Sequence, residues 1–151
     1  MSTRPQTIER FGRTLPLTRE QAFDIAADIE RYPEFLPCWI SAQITRRDAN
    51  ICYVDQEVGF GAARLRFGAT AVMQRPVRID VTSTDKSFRH FTLSWSIEST
   101  SPDGCRVSLA AAVQLQSVLL QYAVAAFLPT AIDDIILAFE ERARALYKAA
   151  A

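Results

Sequence analysis

The sequence is short of the residues that build most catalytic and metal centres. Its 151 residues include one histidine, His90, and three cysteines with no Cys-x-x-Cys spacing. A single histidine excludes metal sites that need a histidine pair and weakens any nucleophile–histidine triad. The odd cysteine count argues against a disulfide framework and is typical of a reducing compartment. Because the five glycines are scattered, a glycine-rich phosphate loop is excluded as well.

The chain also lacks a net charge and a long hydrophobic run. Seventeen basic residues balance seventeen acidic ones, so no overall field favours nucleic acid or an anionic surface. The first residues carry no apolar segment of the secretory kind, and no uninterrupted apolar run reaches the roughly 18 residues of a membrane-spanning helix. With 49% hydrophobic residues, the composition predicts a single cytoplasmic domain over residues 1–151.

The first third of the sequence predicts one strand and two helices. Residues 7–15 alternate imperfectly between apolar and polar and are expected to form the strand. Thr18 and Gln21 have the spacing of a capping box at the start of a helix with one apolar face. Residues 32–36 lie between two prolines, which leaves room for only a short second helix. The apolar face of the first helix comprises Ala22, Ile25, Ala26 and Ile29.

From residue 40 onward apolar residues recur at every second position, which predicts about six antiparallel strands. This alternation is typical of a sheet with one face on the core and one face in water. Arg64, Arg66, Arg78 and Arg106 fall on the outer face. Two interpretations of this basic stripe stay open: contact with RNA phosphates or anionic lipid, or ion pairing with acids on neighbouring strands.

The last third predicts helices again. Residues 117–129 form a strongly apolar helical segment that is expected to end or kink at Pro129, and a second helix is expected to start at Thr130. Strands followed by one long covering helix predict an α+β architecture with a slot between sheet and helix. The apolar stripe of the second helix comprises Ile132, Ile135, Ile136, Phe139, Ala143 and Leu146, with Arg144 and Lys148 near its end.

Local sequence motifs support the prediction of this architecture. The stretch "FDIAADIERYPEFLPCW" (23–39) resembles the signature of the coenzyme Q-binding START-like family, and "FRHFTLSW" (88–95) and "AFEERARALY" (138–147) match further family motifs. The resemblance spans almost the whole chain. It departs from the pattern at Cys38–Trp39, which the family has in the opposite order, and at residues 113–115, where an aromatic, acid-containing strand has become Val-Gln-Leu.

The resemblance implies a helix-grip (START/Bet v 1-like) fold, in which a curved antiparallel sheet wraps around a long C-terminal helix and two short helices follow the first strand. It also implies a carrier or chaperone for an isoprenoid quinone such as ubiquinone, or a related lipid, at work in the cytoplasm or at the inner membrane. The family includes a branch of ribosome-association toxins (RatA) and polyketide cyclase/dehydrase-like members. Blocking association of the ribosomal subunits and cyclase-like catalysis are therefore the alternatives.

The residues themselves favour binding over catalysis. Asp55 and Glu57 share one strand face but look solvated, and neither His90 nor Cys38 has a fixed partner, so no catalytic residue, metal or cofactor is predicted beyond a bound lipid. A largely apolar slot is the expected site for a hydrophobic small molecule. The predicted ligand-binding residues are Phe35, Leu36, Trp39, Leu65, Phe67, Leu93, Trp95, Leu109, Ala111, Val113, Ile132, Ile135, Ile136 and Phe139.

The proline-rich segment 32–40 has two possible roles. Phe35, Leu36 and Trp39 cover either the mouth of the slot or the core end of the sheet; the resemblance favours the mouth. An apolar turn beside the mouth also predicts transient membrane contact through residues 32–40, helped by residues 118–127.

Overall fold

Seven antiparallel strands form one curved sheet in the computed structural model, which describes residues 5–100 and 102–147. The strand order is β1-β7-β6-β5-β4-β3-β2. The helices are α1 (Arg19–Ala27), a 3-10 turn (Ile29–Arg31), α2 (Tyr32–Phe35) and α3 (Val118–Tyr147). The strands are β1 (Gln6–Leu15), β2 (Trp39–Asp48), β3 (Ile51–Phe60), β4 (Ala63–Gln74), β5 (Arg78–Thr82), β6 (Phe88–Thr100) and β7 (Gly104–Leu115).

The capping box at the start of α1 is confirmed. The Gln21 backbone N–H donates to Thr18 Oγ1 at 3.1 Å, and the Thr18 N–H donates to Gln21 Oε1 at 3.0 Å, so two unpaired donors of the helix start are satisfied. The short helix after it is also confirmed as α2. The buried Tyr32 hydroxyl donates to the Ala26 carbonyl, which fastens α2 to the end of α1.

The predicted alternation between core and water is confirmed along β4. Leu65, Phe67, Ala69 and Ala71 are buried, while the residues between them face outward or are half-buried. Each strand pairs antiparallel with its neighbours, so the buried positions of adjacent strands lie side by side and form one apolar face. The long helix α3 covers part of this face.

The prediction of two helical segments in the last third is wrong. One helix runs from Val118 to Tyr147 with Pro129 inside it. An interior proline costs a helix roughly 3 kcal/mol, whereas each large apolar side chain that is buried returns about 1.5–3 kcal/mol. Val124, Leu128, Ile132 and Ile135 are buried on both sides of the proline, so packing on the sheet outweighs the lost hydrogen bond.

The predicted apolar stripe of α3 is confirmed except at its end. Leu146 is 54% exposed. Lys148 lies outside the described residues. By length and composition alone α3 would suffice to cross a membrane, with a mean hydropathy of 1.6 over 18 residues. The core helix of a sheet-and-helix domain has the same composition.

Polar contacts hold α3 mainly through its C-terminal half. Asp133 accepts from Arg10 Nε at 2.7 Å, the buried Glu140 carboxylate accepts from the Arg13 N–H at 2.6 Å, and Arg142 lies 3.2 Å from Glu34. Over residues 118–131, the one side-chain hydrogen bond to the sheet within the described chain is from the Leu115 N–H to Gln121, at 2.7 Å. The N-terminal half of α3 is therefore held by apolar packing.

Candidate ligand-binding site

A cavity of about 60 Å³ lies between the inner face of the sheet and α3. Its sheet side is formed by alternate residues of β3, β4, β6 and β7, and its helix side by positions three or four apart on α3, which share one helix face. Among the described residues, Cys38 is the single wall residue that is not an ordinary hydrophobic one. The wall comprises Cys38, Trp39, Val58, Phe60, Leu65, Phe67, Phe88, Phe91, Leu93, Ala111, Val113, Val124, Leu128, Ala131, Ile132 and Ile135.

Three phenylalanines form an aromatic wall of the cavity. The ring centroids of Phe67 and Phe88 are 4.9 Å apart, those of Phe88 and Phe91 5.0 Å, and those of Phe67 and Phe91 5.2 Å. Strict alternation would send Phe88 and Phe91 to opposite faces. The register of β6 on β7 shifts between Phe88 and His90, and this irregularity turns both rings inward. The period of two puts Phe91 on the same face as Leu93 and Trp95, although Phe91 was not among the predicted ligand-binding residues, so the pattern missed only Phe88 for that reason.

Trp39 and Cys38 form the wall of the cavity at the start of β2. The Trp39 indole N–H donates to Oε1 of the buried Gln56 at 2.8 Å, which fixes the plane of the ring. Cys38 has a left-handed backbone (φ 75°), and its carbonyl accepts from the Gly59 N–H at 2.8 Å. Burial, and secondarily the charge of Asp134, raise the pKa of the Cys38 thiol. The thiol is therefore protonated at neutral pH and is a poor nucleophile.

Eight of the fourteen predicted ligand-binding residues line the cavity. They come from five different elements, so the fold brings together positions that are far apart in the sequence. These residues are Trp39, Leu65, Phe67, Leu93, Ala111, Val113, Ile132 and Ile135.

The other six predicted residues do not line the cavity. Trp95 and Phe139 stack with ring centroids 5.2 Å apart, and Trp95 also meets Tyr32 at 6.2 Å, so aromatic packing fills this end of the slot. Leu36 is buried, and Phe35 lies under the Arg142 guanidinium. The residues outside the cavity wall are Phe35, Leu36, Trp95, Leu109, Ile136 and Phe139.

The polar residues considered for chemistry lie away from the cavity. His90 and Asp55 are exposed on the outer side, and Glu57 lies 3.4 Å from Arg66 and 3.9 Å from Arg64. Over residues 5–100 and 102–147, no group of three or more histidine, cysteine, aspartate or glutamate side chains is arranged to hold a metal ion.

The four arginines of the predicted basic stripe, Arg64, Arg66, Arg78 and Arg106, all have carboxylate neighbours. Besides the pairs at Glu57, Arg78 lies 2.9 Å from Asp80, and Arg106 Nε donates to Glu98 at 2.9 Å. Burial acts to raise the pKa of Asp80, but hydrogen bonds from Arg78 and Ser94 outweigh it and lower that pKa. Of the two interpretations of this stripe, the geometry matches ion pairing, which is between neighbouring strands at Glu57 and Glu98 and within β5 at Asp80.

The fold and this cavity agree with the comparison to known families. Residues 15–140 match the family described as "Polyketide cyclase / dehydrase and lipid transport". The chain belongs to this family. A solved structure of a START superfamily protein from Mycobacterium smegmatis has the same fold, with a TM-score of 0.75, 15% identity, and coverage of 93% of this chain and 98% of that one. The predicted helix-grip, START/Bet v 1-like fold is thereby confirmed.

Two relatives are similar in sequence to this protein over most of the chain. One is the ribosome association toxin RatA of Pseudomonas aeruginosa, 23% identical over 88% of this chain and 92% of its own. The other is the mitochondrial coenzyme Q-binding protein COQ10 homolog B of Xenopus laevis, 24% identical over 90% of this chain and 57% of its own. The names of these relatives thus refer to coenzyme Q binding in one case and to ribosome association in the other.

Proposed function

We propose that the protein binds an isoprenoid quinone or related lipid between sheet and helix and carries it in the cytoplasm, including at the inner membrane. The wholly hydrophobic wall of the cavity is the observation that supports this function. Each CH₂ group moved from water into such a wall gains about 0.8 kcal/mol, so a prenyl chain gains several kcal/mol over a few units. The name of the Xenopus relative supports the ligand class.

The ligand requires more space than the empty cavity offers. The cavity measures about 60 Å³, whereas sites for small molecules usually measure roughly 300–1,000 Å³. The wall that can give way is the N-terminal half of α3, since its side chains make one hydrogen bond to the described part of the sheet. Loading then moves Val124 and Leu128 outward and leaves the sheet in place.

The test of this function is the content of the protein as it is purified. Isolated gently from its own cells, the protein should release an isoprenoid lipid into an organic extract, which mass spectrometry identifies. Titration with short-chain ubiquinone should quench the fluorescence of Trp39, which lines the cavity. An empty extract together with unquenched fluorescence would refute the carrier function.

We further propose that binding involves no catalysis by this chain. The Cys38 thiol is held protonated, and His90 is exposed outside the cavity. The Cys38→Ser and His90→Ala variants should therefore bind short-chain ubiquinone within about threefold of the wild type. Trp39→Ala is the matched positive control and should weaken binding about tenfold, since it removes a ring from the wall. A loss of two orders of magnitude in folded Cys38→Ser or His90→Ala protein would contradict the proposal.

Ribosome binding is the second candidate function. It is supported by the name of the Pseudomonas relative, which covers nearly the same length of chain. The ion-paired arginines of the outer face weigh against it, because each arginine already has a carboxylate neighbour. Co-sedimentation with the large ribosomal subunit that disappears with added salt, from protein whose extract is empty, would favour this candidate over the carrier.

A further inference from the structure

An exposed hydrophobic surface covers the outer side of the movable half of α3. We define the α3 patch as Val118, Leu119, Tyr122, Ala126 and Phe127, all of which are exposed. Leu119 is 80% exposed, Tyr122 74% and Phe127 48%. A surface helix normally turns polar and charged residues to water, so an exposed face of this composition indicates a partner.

The α3 patch lies inside an unusually long uncharged stretch. From Val107 to Ile132 the sequence has no aspartate, glutamate, lysine, arginine or histidine. Protein–protein interfaces usually have a polar rim that supplies hydrogen bonds and ion pairs. The stretch of chain that contains the α3 patch supplies no charged residue for such a rim. The composition of the patch therefore fits the hydrocarbon part of a membrane better than the surface of a folded protein.

Near each end of the α3 patch, an arginine lies within a few residues of a segment that adjoins the patch. The turn between β3 and β4 lies against it, since a Cβ on Gly61 would sit 3.7 Å from the Phe127 ring, and Arg64 follows three residues later. Arg64 and Arg66 share the single carboxylate of Glu57, so these three side chains together carry a net charge of +1. At the other side, the exposed Arg89 donates to the neutral amide of Gln116, two residues before α3 begins.

The segment 32–40, expected to contact membranes, is poorly placed for that role. Tyr32 and Leu36 are 3% exposed, Arg142 covers the Phe35 ring, and Trp39 faces the cavity. Among the large hydrophobic residues of this segment, Ile40 is exposed, at 41%, whereas Phe35 and Trp39 are half-buried. The α3 patch is therefore a better candidate for membrane contact than the segment 32–40.

We propose that the α3 patch docks on a lipid bilayer that carries anionic head groups. The hydrophobic side chains enter the boundary between head groups and acyl chains, and the cations beside the turn and at Arg89 meet the lipid phosphates. Docking places the bilayer against the outer side of the wall whose inner side lines the cavity. The proposal rests on the carrier function, because a carrier of membrane lipids must reach a membrane.

The test uses the full chain and vesicles of phosphatidylcholine with and without phosphatidylglycerol. The double variant Leu119→Ser/Phe127→Ser should bind vesicles at least about tenfold more weakly than the wild type in flotation. The control is Leu137→Ser/Leu146→Ser, which changes two exposed leucines on the same helix outside the α3 patch, and this variant should bind within about twofold. Wild-type binding should rise with phosphatidylglycerol and fall with added salt.

Three results would overturn the docking proposal: no vesicle binding by the wild type, equal losses in both double variants, or a dimer by light scattering that only Leu119→Ser/Phe127→Ser converts to monomer. The last result would assign the α3 patch to a second copy of the chain. Failure of docking and failure of the carrier function remain distinguishable. An empty extract with normal vesicle binding contradicts the carrier alone, and a loaded protein that ignores vesicles contradicts docking alone.

Discussion

Replacing Ala111 by leucine should block ligand binding and leave the protein at least as stable as the wild type. Ala111 is 3% exposed and lines the cavity from the middle of β7, opposite α3. The cavity measures about 60 Å³, and the three carbon atoms that leucine adds enter this space. Filling a cavity usually stabilises by about 0.5–2 kcal/mol, whereas the ligand loses the room it needs.

Two measurements on the same sample check this result. The melting temperature of Ala111→Leu should stay level or rise, and its affinity for short-chain ubiquinone should fall at least about tenfold. Ala112→Leu is the matched control: it adds the same atoms one residue along, on the other face of the strand, and should bind normally. A lower melting temperature for Ala111→Leu would indicate tight packing at this position. Normal ligand binding by the folded variant would place the ligand elsewhere.

Replacing Glu140 by alanine should destabilise the protein by about 2–3 kcal/mol. Glu140 is 3% exposed, and its carboxylate accepts from the Arg13 N–H at a point where the pairing of β1 with β7 is irregular. Gly12 allows this approach, since a Cβ there would lie 2.8 Å from Glu140 Oε2. Alanine leaves the Arg13 donor without its acceptor and removes an anchor of α3.

Urea unfolding of two further variants separates the hydrogen bond from the mere loss of a charge. Glu140→Gln keeps an acceptor oxygen and should lose only about 1 kcal/mol. Glu141→Ala removes the neighbouring, exposed carboxylate and should stay within about 0.5 kcal/mol of the wild type. If Glu140→Ala and Glu141→Ala lost equal amounts, the contact with β1 would not be the anchor inferred from the geometry.

Local rules predicted the elements of this fold well. The Thr18–Gln21 capping box depends only on residues close in sequence, so the sequence predicted it. The alternation along β4 depends only on one strand having one face on the core, so it was predictable as well. The continuity of α3 through Pro129 could not be predicted from the local sequence, because it results from packing on both sides of the proline. Local preference favoured a break, and tertiary contacts outweighed it.

The cavity was only half predictable, for a similar reason. Alternation identifies which residues face inward, but it does not say where along a strand the helix fits closely and where it leaves a gap. Leu93 and Trp95 both face inward from β6, yet only Leu93 borders the cavity, since Trp95 packs against Phe139 and Tyr32. Phe88 was missed because a register shift in β6 breaks the period of two.

Because polar contacts hold α3 mainly through its C-terminal half, ligand binding and membrane docking are linked equilibria. The N-terminal half of α3 is the inner wall of the cavity and also carries the exposed hydrophobic patch, so a displacement of this half changes both surfaces at once. Thermodynamic reciprocity then fixes the relation between them. If docking on a bilayer weakens the hold on the ligand by some factor, a bound ligand weakens docking by the same factor. Empty and loaded protein would then partition differently between water and membrane, without any external energy source.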